Sequence, residues 1–468
     1  MEAVQINKAQ LARPMLQRLG DLMQAKRSFI LKLQWFVVVF YFGLLIWPAF
    51  LPLPKDYVHF YENLVLFAQF VFWGIWWPFV MLSMILVGRI WCGVFCPEGA
   101  LSEWSSQRGL GLTIPRWMRW AGWPFVAFVV TTIYGQLISV YEYPKAALLI
   151  LGGSTIVAIL VGFVYGKGTR VWCRHLCPAN GVFSLLSRLA PIHFRVNQLA
   201  WEQAPHHTHA VNCAPLVSVR NMKGNSACHM CGRCSGHRNA VALGSRSPNV
   251  EIIAINDKKA NFWDVLLLTL GMLGVATGAF QWSASPWFVI LKQGLAEWFI
   301  ERDIYWPLES NAPWWLLTHY PETNDVFSWL DGACILIYIM VSTFTIGGLI
   351  LVGLWQASKI LQSKDFILWR LGYSLTPLAG ISIFMGLTAL TLGMLKAEHM
   401  TLIGIAATRI ALLLIAGLWS GWLLWNKITN SDASHSNVNT IRQLMAWFMI
   451  MLSTCLVYLS WIMMFFVW

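Results

Sequence analysis

Residues 63–97 read NLVLFAQFVFWGIWWPFVMLSMILVGRIWCGVFCP. Positions 63–87 carry no Asp, Glu, Lys or Arg, and at 1.5 Å per helical residue they are long enough to cross a hydrocarbon core of about 30 Å. Arg89 ends the run, and Cys92 and Cys96 follow it, closed by Pro97. The order recurs 81 residues later, where the apolar run Ala146–Tyr165 leads into Arg170-Val-Trp-Cys173-Arg-His-Leu-Cys177-Pro178. Each copy of R-[IV]-W-C-x3-C-P ends an apolar hairpin, so the chain contains a repeated membrane unit with two cysteines at its edge.

The whole composition agrees. Of 468 residues 57% are hydrophobic and 12% charged, with Trp 28 and Phe 27, and the mean hydropathy is +0.58. An ordinary soluble protein carries roughly 25% charge, so a water-soluble fold, disorder and collagen-like fibres are excluded. The expected fold is an all-α integral membrane protein of nine spans: Phe36–Leu53, Asn63–Val87, Ala121–Val140, Ala146–Tyr165, Trp263–Trp282, Ala333–Trp355, Leu371–Met394, Thr401–Trp425 and Leu444–Phe466. Four units follow: an amphipathic N-terminal segment (1–33), a four-helix unit with both C-x3-C-P motifs (34–187), a cysteine-rich insertion (188–261) and a five-helix unit (262–468) with an outer loop over 283–332.

The net charge of +12 would suggest nucleic acid in a soluble chain. Its distribution gives another cause. Met1–Lys32 is polar and amphipathic, no small-residue cleavage site follows the first apolar run, and Lys8, Arg13, Arg18, Lys26, Arg27 and Lys32 precede it, so the N-terminus is expected inside and, after nine crossings, the C-terminus outside. On that topology 27 of the 33 Lys and Arg fall inside, five outside and only Arg409 within a span. With the acids counted, the inner face carries +17 and the outer −6, as the positive-inside rule requires. Nucleic acid is therefore not an expected partner. Glu297, Glu301, Asp303, Glu309, Glu322, Asp325 and Asp331 make the outer loop electronegative.

Eight of the ten cysteines lie between Cys92 and Cys234, all on the expected inner side. Cysteines at i and i+4 share one face of a helical turn, and proline then ends or redirects it. Downstream come Cys213 and the triplet Cys228-His-Met-Cys231-Gly-Arg-Cys234, which matches the first three ligands of a bacterial ferredoxin run. The usual C-x3-C-P end is missing after Cys234, so the fourth ligand is either Cys213 or a cysteine of the membrane-edge motifs. Eight cysteines fit two [4Fe–4S] clusters. The competing reading is a pair of four-cysteine zinc sites, against which the triplet and the C-x3-C-P motifs argue. Disulfides are not expected on a reducing side. Arg89 and Arg170 either offset thiolate charge or snorkel, and Cys334 and Cys455 read as small buried apolar residues.

At these residues, over about Phe36–Val250, the chain resembles the membrane-bound polyferredoxins of the NapH, MauN and NosR C-terminal type. WCGVFCPEGALSEW, PRWMRWAGWPFVAF, LCPANGVFSLL and VNCAPL followed by CHMCGRCSGHR look like the subgroup encoded with periplasmic iron-uptake systems, the FtrABCD type. The resemblance implies electron transfer at a bacterial inner membrane in service of periplasmic redox chemistry. It also implies clusters bound by Cys92, Cys96, Cys173, Cys177, Cys228, Cys231 and Cys234, with Cys213 as the remaining candidate. No flavin is expected, since a periplasmic flavin domain before the first span is absent.

Outside the cysteines the candidates are fewer. Arg409 is an intramembrane charge, which is functional, paired or snorkelling. On the outer side His399 and Met400, near Met394, offer soft and imidazole ligands for copper or iron, although chance proximity in a Met-rich chain is simpler. His206, His207 and His209 form an inner polar tract, and the tryptophans read chiefly as interfacial belts. Two function classes result. One is a redox carrier or oxidoreductase subunit, rather than a stand-alone enzyme, passing electrons from a cytoplasmic or quinol donor to a periplasmic redox or metal-binding protein in support of iron or copper uptake. The other is a metal-ion permease, or a subunit of one, with structural or redox-sensing clusters. In the first, both clusters lie on one side of the bilayer. A quinone in the bundle, an unrecognised cofactor in spans five to nine, or deeper ligands would have to bridge it.

Overall fold

A computed structural model describes residues 14–54, 58–204, 211–256, 259–361, 367–400, 402–429 and 439–468. Among them eight helices are long and apolar enough to cross a membrane: Arg27–Phe50, Leu64–Val87, Pro144–Tyr165, Phe262–Ala284, Trp329–Ile360, Leu368–Ala397, Ile405–Thr429 and Thr440–Val467. Eight of the nine expected runs are thereby matched. The remaining one, expected over 121–140, is the 15-residue helix Trp123–Leu137. Ser139 adopts a left-handed φ of 49° and stops the helix there, so it extends about 22 Å, short of a core of about 30 Å. The expected outer loop 283–332 contains regular structure of its own. It opens with the helix Pro286–Ile300, started by Pro286, and Phe288, Leu291 and Leu295 of that helix pack on Leu330, Cys334 and Ile335.

Small residues bring the spans together. Gly274 and Gly278 stand one turn apart, and a Cβ on either would lie 2.9 Å from Thr343 Cα or Ser342 Cβ of the neighbouring span. This is the small-xxx-small contact by which membrane helices approach closely. Large apolar side chains such as Phe36, Val39, Ile156 and Leu418 turn outward, as a lipid solvent permits.

Five spans contain a widened turn, in which backbone N–H groups reach back five residues instead of four: Phe70–Trp76, Leu148–Gly152, Leu267–Val275, Thr343–Gly347 and Met463–Val467. Such a turn costs the ladder a hydrogen bond; Thr391 Oγ1 compensates by donating to the Gly74 carbonyl at 2.8 Å.

The cysteine-rich insertion is built on a small antiparallel pair, β1 (Ile192–Val196) and β2 (Val241–Ser245), with Phe194 opposite Leu243. Phe194, Val219, Met222, Met230, Val241 and Leu243 form its core. Helix α1 (Met15–Ala25) lies across it. Gly20 of α1 is buried where a Cβ would come 2.8 Å from Ser235 Oγ and 3.0 Å from Leu243 Cβ, and Ser235 Oγ donates to Asp21 at 2.9 Å. The insertion ties to the C-terminal helices through Arg188, which reaches Asp264 at 3.1 Å, while Tyr373 donates to the same carboxylate at 2.8 Å.

Candidate functional site

The two C-x3-C-P motifs fold alike despite different intervening residues. In the first, Gly93 N–H donates to Arg89 O and Cys96 N–H to Trp91 O. In the second, Arg174 N–H donates to Arg170 O and Cys177 N–H to Trp172 O. The five-residue closure onto the tryptophan carbonyl makes a wide turn. The structure therefore replaces the expected simple α-turn with a broader one, which still sets the two cysteines on one side. Proline then does different work in each copy. Pro97 is the first residue of the helix Pro97–Gln107, with Cys96 as its N-cap, whereas Pro178 lies in a turn before the helix Asn180–Leu186.

Electrostatic neighbours sort the cysteines into two quartets. Burial raises Cys96, and Cys173 and Cys92 beside it raise it further; Cys177 is raised by burial and then by Glu98, Cys173, Cys96 and Cys92. Burial likewise raises Cys234, with Cys228, Cys231 and Cys213 adding to it. The first quartet is thus Cys92, Cys96, Cys173 and Cys177, and the second Cys213, Cys228, Cys231 and Cys234. Of the two candidates the sequence left open to stand with the triplet, Cys213 is the one among the electrostatic neighbours of Cys228 and Cys234. Backbone N–H groups already point at sulfur: Gly99 to Cys96 and Met230 to Cys228, each at 3.4 Å.

The quartets are in contact. Gly93 sits where a Cβ would overlap the His229 carbonyl and come 2.9 Å from Cys231 N, so only glycine lets the triplet loop lie against the first motif. Gln34 of the first span steadies this point by donating to Gly93 O at 2.8 Å.

The two motif arginines do not snorkel. Arg89 is 2% exposed and Arg170 1%. Arg89 reaches Ser226 O at 2.8 Å and Asn180 Oδ1 at 2.7 Å, bracing the triplet loop against the second motif. Arg170 donates from Nε to Glu103 at 2.9 Å and from Nη1 to the Cys92 carbonyl, and its electrostatic neighbours include Cys173, Cys231 and Cys96, members of both quartets. Glu103, itself buried, also accepts from Arg233 and lies 3.8 Å from Arg27. Burial alone would raise Glu103, but Arg170 and Arg233 hold its carboxyl below the usual range. Glu98 takes hydrogen bonds from Ser154 and from Trp172 Nε1, yet burial still raises it. These acids, Gln34 and His229 were missed in the sequence. The available signal was that Glu98 and Glu103 are acids directly after a cysteine motif in a charge-poor chain.

The donor set fits a thiolate-ligated cluster. Burial pushes Cys173 and Cys228 up to about 12, so as bare thiols they keep their protons, and a ligand role needs a cation that displaces them. Buried donors stand ready for the resulting negative charge: Arg89 Nε, Arg170 Nη2 and His229 Nδ1 find no partner among the described residues. Burial, followed by Arg89, Arg170, Arg174 and Arg233, pushes His229 well below its ordinary value. Among the described residues no three His, Cys, Asp or Glu side chains close on one point as a single ion requires.

Other candidates are not assembled. His399, with a left-handed φ of 57°, follows Glu398, which engages His59 Nδ1 at 2.5 Å, and Met400 is exposed. Arg409 lies in the first turns of Ile405–Thr429, its guanidinium 3.6 Å from the Phe465 ring centroid, which is the local-contact reading of that charge. Cys334 is buried as expected, but Cys455 is exposed, as are Phe448, Leu452 and Leu459 of the same helix. His206, His207 and His209 lie outside the described residues.

A family model described as a 4Fe-4S binding domain matches residues 69–120 and 148–197. Each matched segment holds one end of an apolar span and one C-x3-C-P motif. No curated protein and no solved structure gives a significant match. The match supports an iron–sulfur protein, and the apolar helices fit a multi-pass membrane protein.

Proposed function

We propose that this chain is a membrane-bound electron-transfer protein with two [4Fe–4S] clusters, one held by Cys92, Cys96, Cys173 and Cys177 and the other by Cys213, Cys228, Cys231 and Cys234. The observation that carries the reading is the pair of neighbouring cysteine quartets, with the 4Fe-4S family match over the membrane motifs. Such clusters supply one-electron transfer at potentials set by charge, hydrogen bonding to sulfur and solvent exposure.

The chain's own residues work on those three variables. Arg89 and Arg170 bring fixed positive charge into a buried site, the Gly99 and Met230 N–H groups donate to sulfur, and Cys92, Cys173 and Cys228 are buried from water. The asymmetry of +17 against −6 supports a site on the cytoplasmic side of a bacterial inner membrane, with the N-terminus inside and, where Trp123–Leu137 also crosses, the C-terminus outside. Electrons then pass between a cytoplasmic or quinol donor and a periplasmic redox or metal-binding protein meeting the acidic outer loop. By the subgroup resemblance this serves iron or copper uptake beside a permease subunit.

The test is the anaerobically purified protein, assayed together for iron, acid-labile sulfide and paramagnetic signals on reduction. About eight irons and eight sulfides per chain are expected for two such clusters. Zinc in place of iron, or no reducible signal, would overturn the proposal. Metal flux into vesicles containing this chain alone would favour the permease reading.

A further inference from the structure

One conspicuous stretch of sequence lies outside the cysteine motifs. Residues 108–123 read RGLGLTIPRWMRWAGW and join the helix Pro97–Gln107 to the helix Trp123–Leu137. Two hydrogen bonds fix its depth: Leu110 N–H donates to Phe163 O at 2.8 Å and Leu112 N–H to Val164 O at 3.1 Å, in the last turn of the span Pro144–Tyr165. Gly109 lies against the same turn, where a Cβ would overlap the Gly166 carbonyl. At the other end Trp123 Nε1 donates to the Trp117 carbonyl at 2.6 Å. Trp120 stands edge-on to Trp263, 4.9 Å between ring centres, at the start of the span Phe262–Ala284. The segment therefore lies where the inner ends of two spans and of the short helix meet.

Its side chains suit a membrane boundary. Leu110, Leu112, Trp117 and Trp120 are all exposed, which water opposes and the headgroup level of a bilayer favours. Arg116 and Arg119, each directly before a tryptophan, are exposed as well, and so is Arg174 of the second motif. These cations share a neighbourhood: His175 is held below its ordinary value first by burial and then by Arg174 and Arg119. Among the described residues Arg116, Arg119 and Arg174 form no ion pair. The positive charge thus has no protein counter-charge, and like charges held together near a low-dielectric boundary repel. Guanidinium groups match phosphate oxygens in pairs, and the anions at this depth on the inner side of a membrane are lipid headgroups.

We infer that segment 108–123 is a docking surface for an anionic phospholipid, its phosphate taken by Arg116 and Arg119 in the field of Arg174, and its acyl chains lying along Trp117 and Trp120. The inference uses the membrane reading of the chain and is independent of the clusters. A zwitterionic headgroup brings an ammonium of its own into this cationic neighbourhood and is disfavoured. Arg174 stands between Cys173 and Cys177 in the chain, and the segment is pinned to the span that leads into them. A headgroup seated there ties the inner edge of the second motif to the bilayer.

The test is native mass spectrometry of the full chain in detergent, titrated with dioleoyl phosphatidylglycerol or dioleoyl phosphatidylcholine, which share acyl chains and differ in headgroup charge. Tighter first binding of phosphatidylglycerol is expected. Each cation removed near the headgroup weakens binding about fivefold, so Arg116→Gln/Arg119→Gln lowers affinity for phosphatidylglycerol roughly 25-fold and leaves phosphatidylcholine unchanged. The charge-matched Arg220→Gln/Lys223→Gln, on the exposed surface of the insertion, leaves both lipids unchanged, and circular dichroism checks that both variants keep the helical fold. Equal affinity for the two lipids or the same loss in both double variants would overturn the inference. Displacement of the lipid by millimolar inorganic phosphate at constant ionic strength would also overturn it and identify a site for soluble anions. Iron and sulfide measured on the same samples keep the two readings apart: iron without selective lipid binding refutes the docking surface alone, and selective lipid binding without iron refutes the clusters alone.

Discussion

Replacing Glu103 by glutamine tests whether one carboxylate holds the two cysteine quartets in register. The change keeps the side chain's size and removes its charge, leaving Arg170 and Arg233, whose side chains are 1% and 8% exposed, without their counter-ion. Loss of one partner from a buried ion pair costs about 3–5 kcal/mol. The third contact, to the half-exposed Arg27 at 3.8 Å, adds little. At 1.4 kcal/mol per decade, that is roughly 2–3.5 decades in a local opening equilibrium. Hydrogen–deuterium exchange of the full chain would read it as faster exchange of amides in Pro97–Gln107 and Val171–His175, with the outer loop unchanged. The sign with pH is fixed too. A carboxyl held below its ordinary 4.5 contributes stability above that value and loses it as the pH falls through its lowered folded value. Wild-type protection should therefore drop toward the variant's in acid, while Glu103→Gln stays flat. Exchange unchanged within about threefold at neutral pH would refute the bridging role.

Further expectations concern the quartets themselves. Cys213→Ala should lower iron and sulfide to about half and spare the paramagnetic species lost in Cys92→Ala; loss of the same species in both variants would break the assignment of quartets. Gly93→Ala inserts a methyl into the His229 carbonyl and should cost about 1–3 kcal/mol, seen as lower iron retention in a chelator challenge, whereas full retention would show that the triplet loop does not rest there. Arg170→Gln removes a positive charge shared by Cys173, Cys96 and Cys231, so redox titration should show both reduction potentials moving negative; movement of only one would refute its shared position.

The spans were legible because runs such as 63–87 have no charge, and the motifs because they recur with the same arginine, tryptophan and proline. Trp123–Leu137 fell short of its expected length because Ser139 takes a left-handed backbone that composition does not encode. Cys213 could not be assigned from spacing, since its place with the triplet depends on its packing against the small core of Phe194, Val241 and Leu243. The arginines were ambiguous for a similar reason: the same spacing serves a snorkelling side chain and one buried against Glu103. Cys455 was misjudged because apolar sequence does not distinguish a lipid-facing side chain from a helix-facing one.

Helix α1 is synthesised long before its resting place. Asp21 and Ser235, which hold it down, are 214 residues apart in the chain, and at about 5–20 residues per second translation needs roughly 10–40 s to cover that distance. During this interval the face that will bury Gly20 and Leu16 has no protein partner, and an amphipathic helix in that position rests on the membrane surface. The covering of the cysteine loop by α1 therefore joins two segments that are made far apart in time.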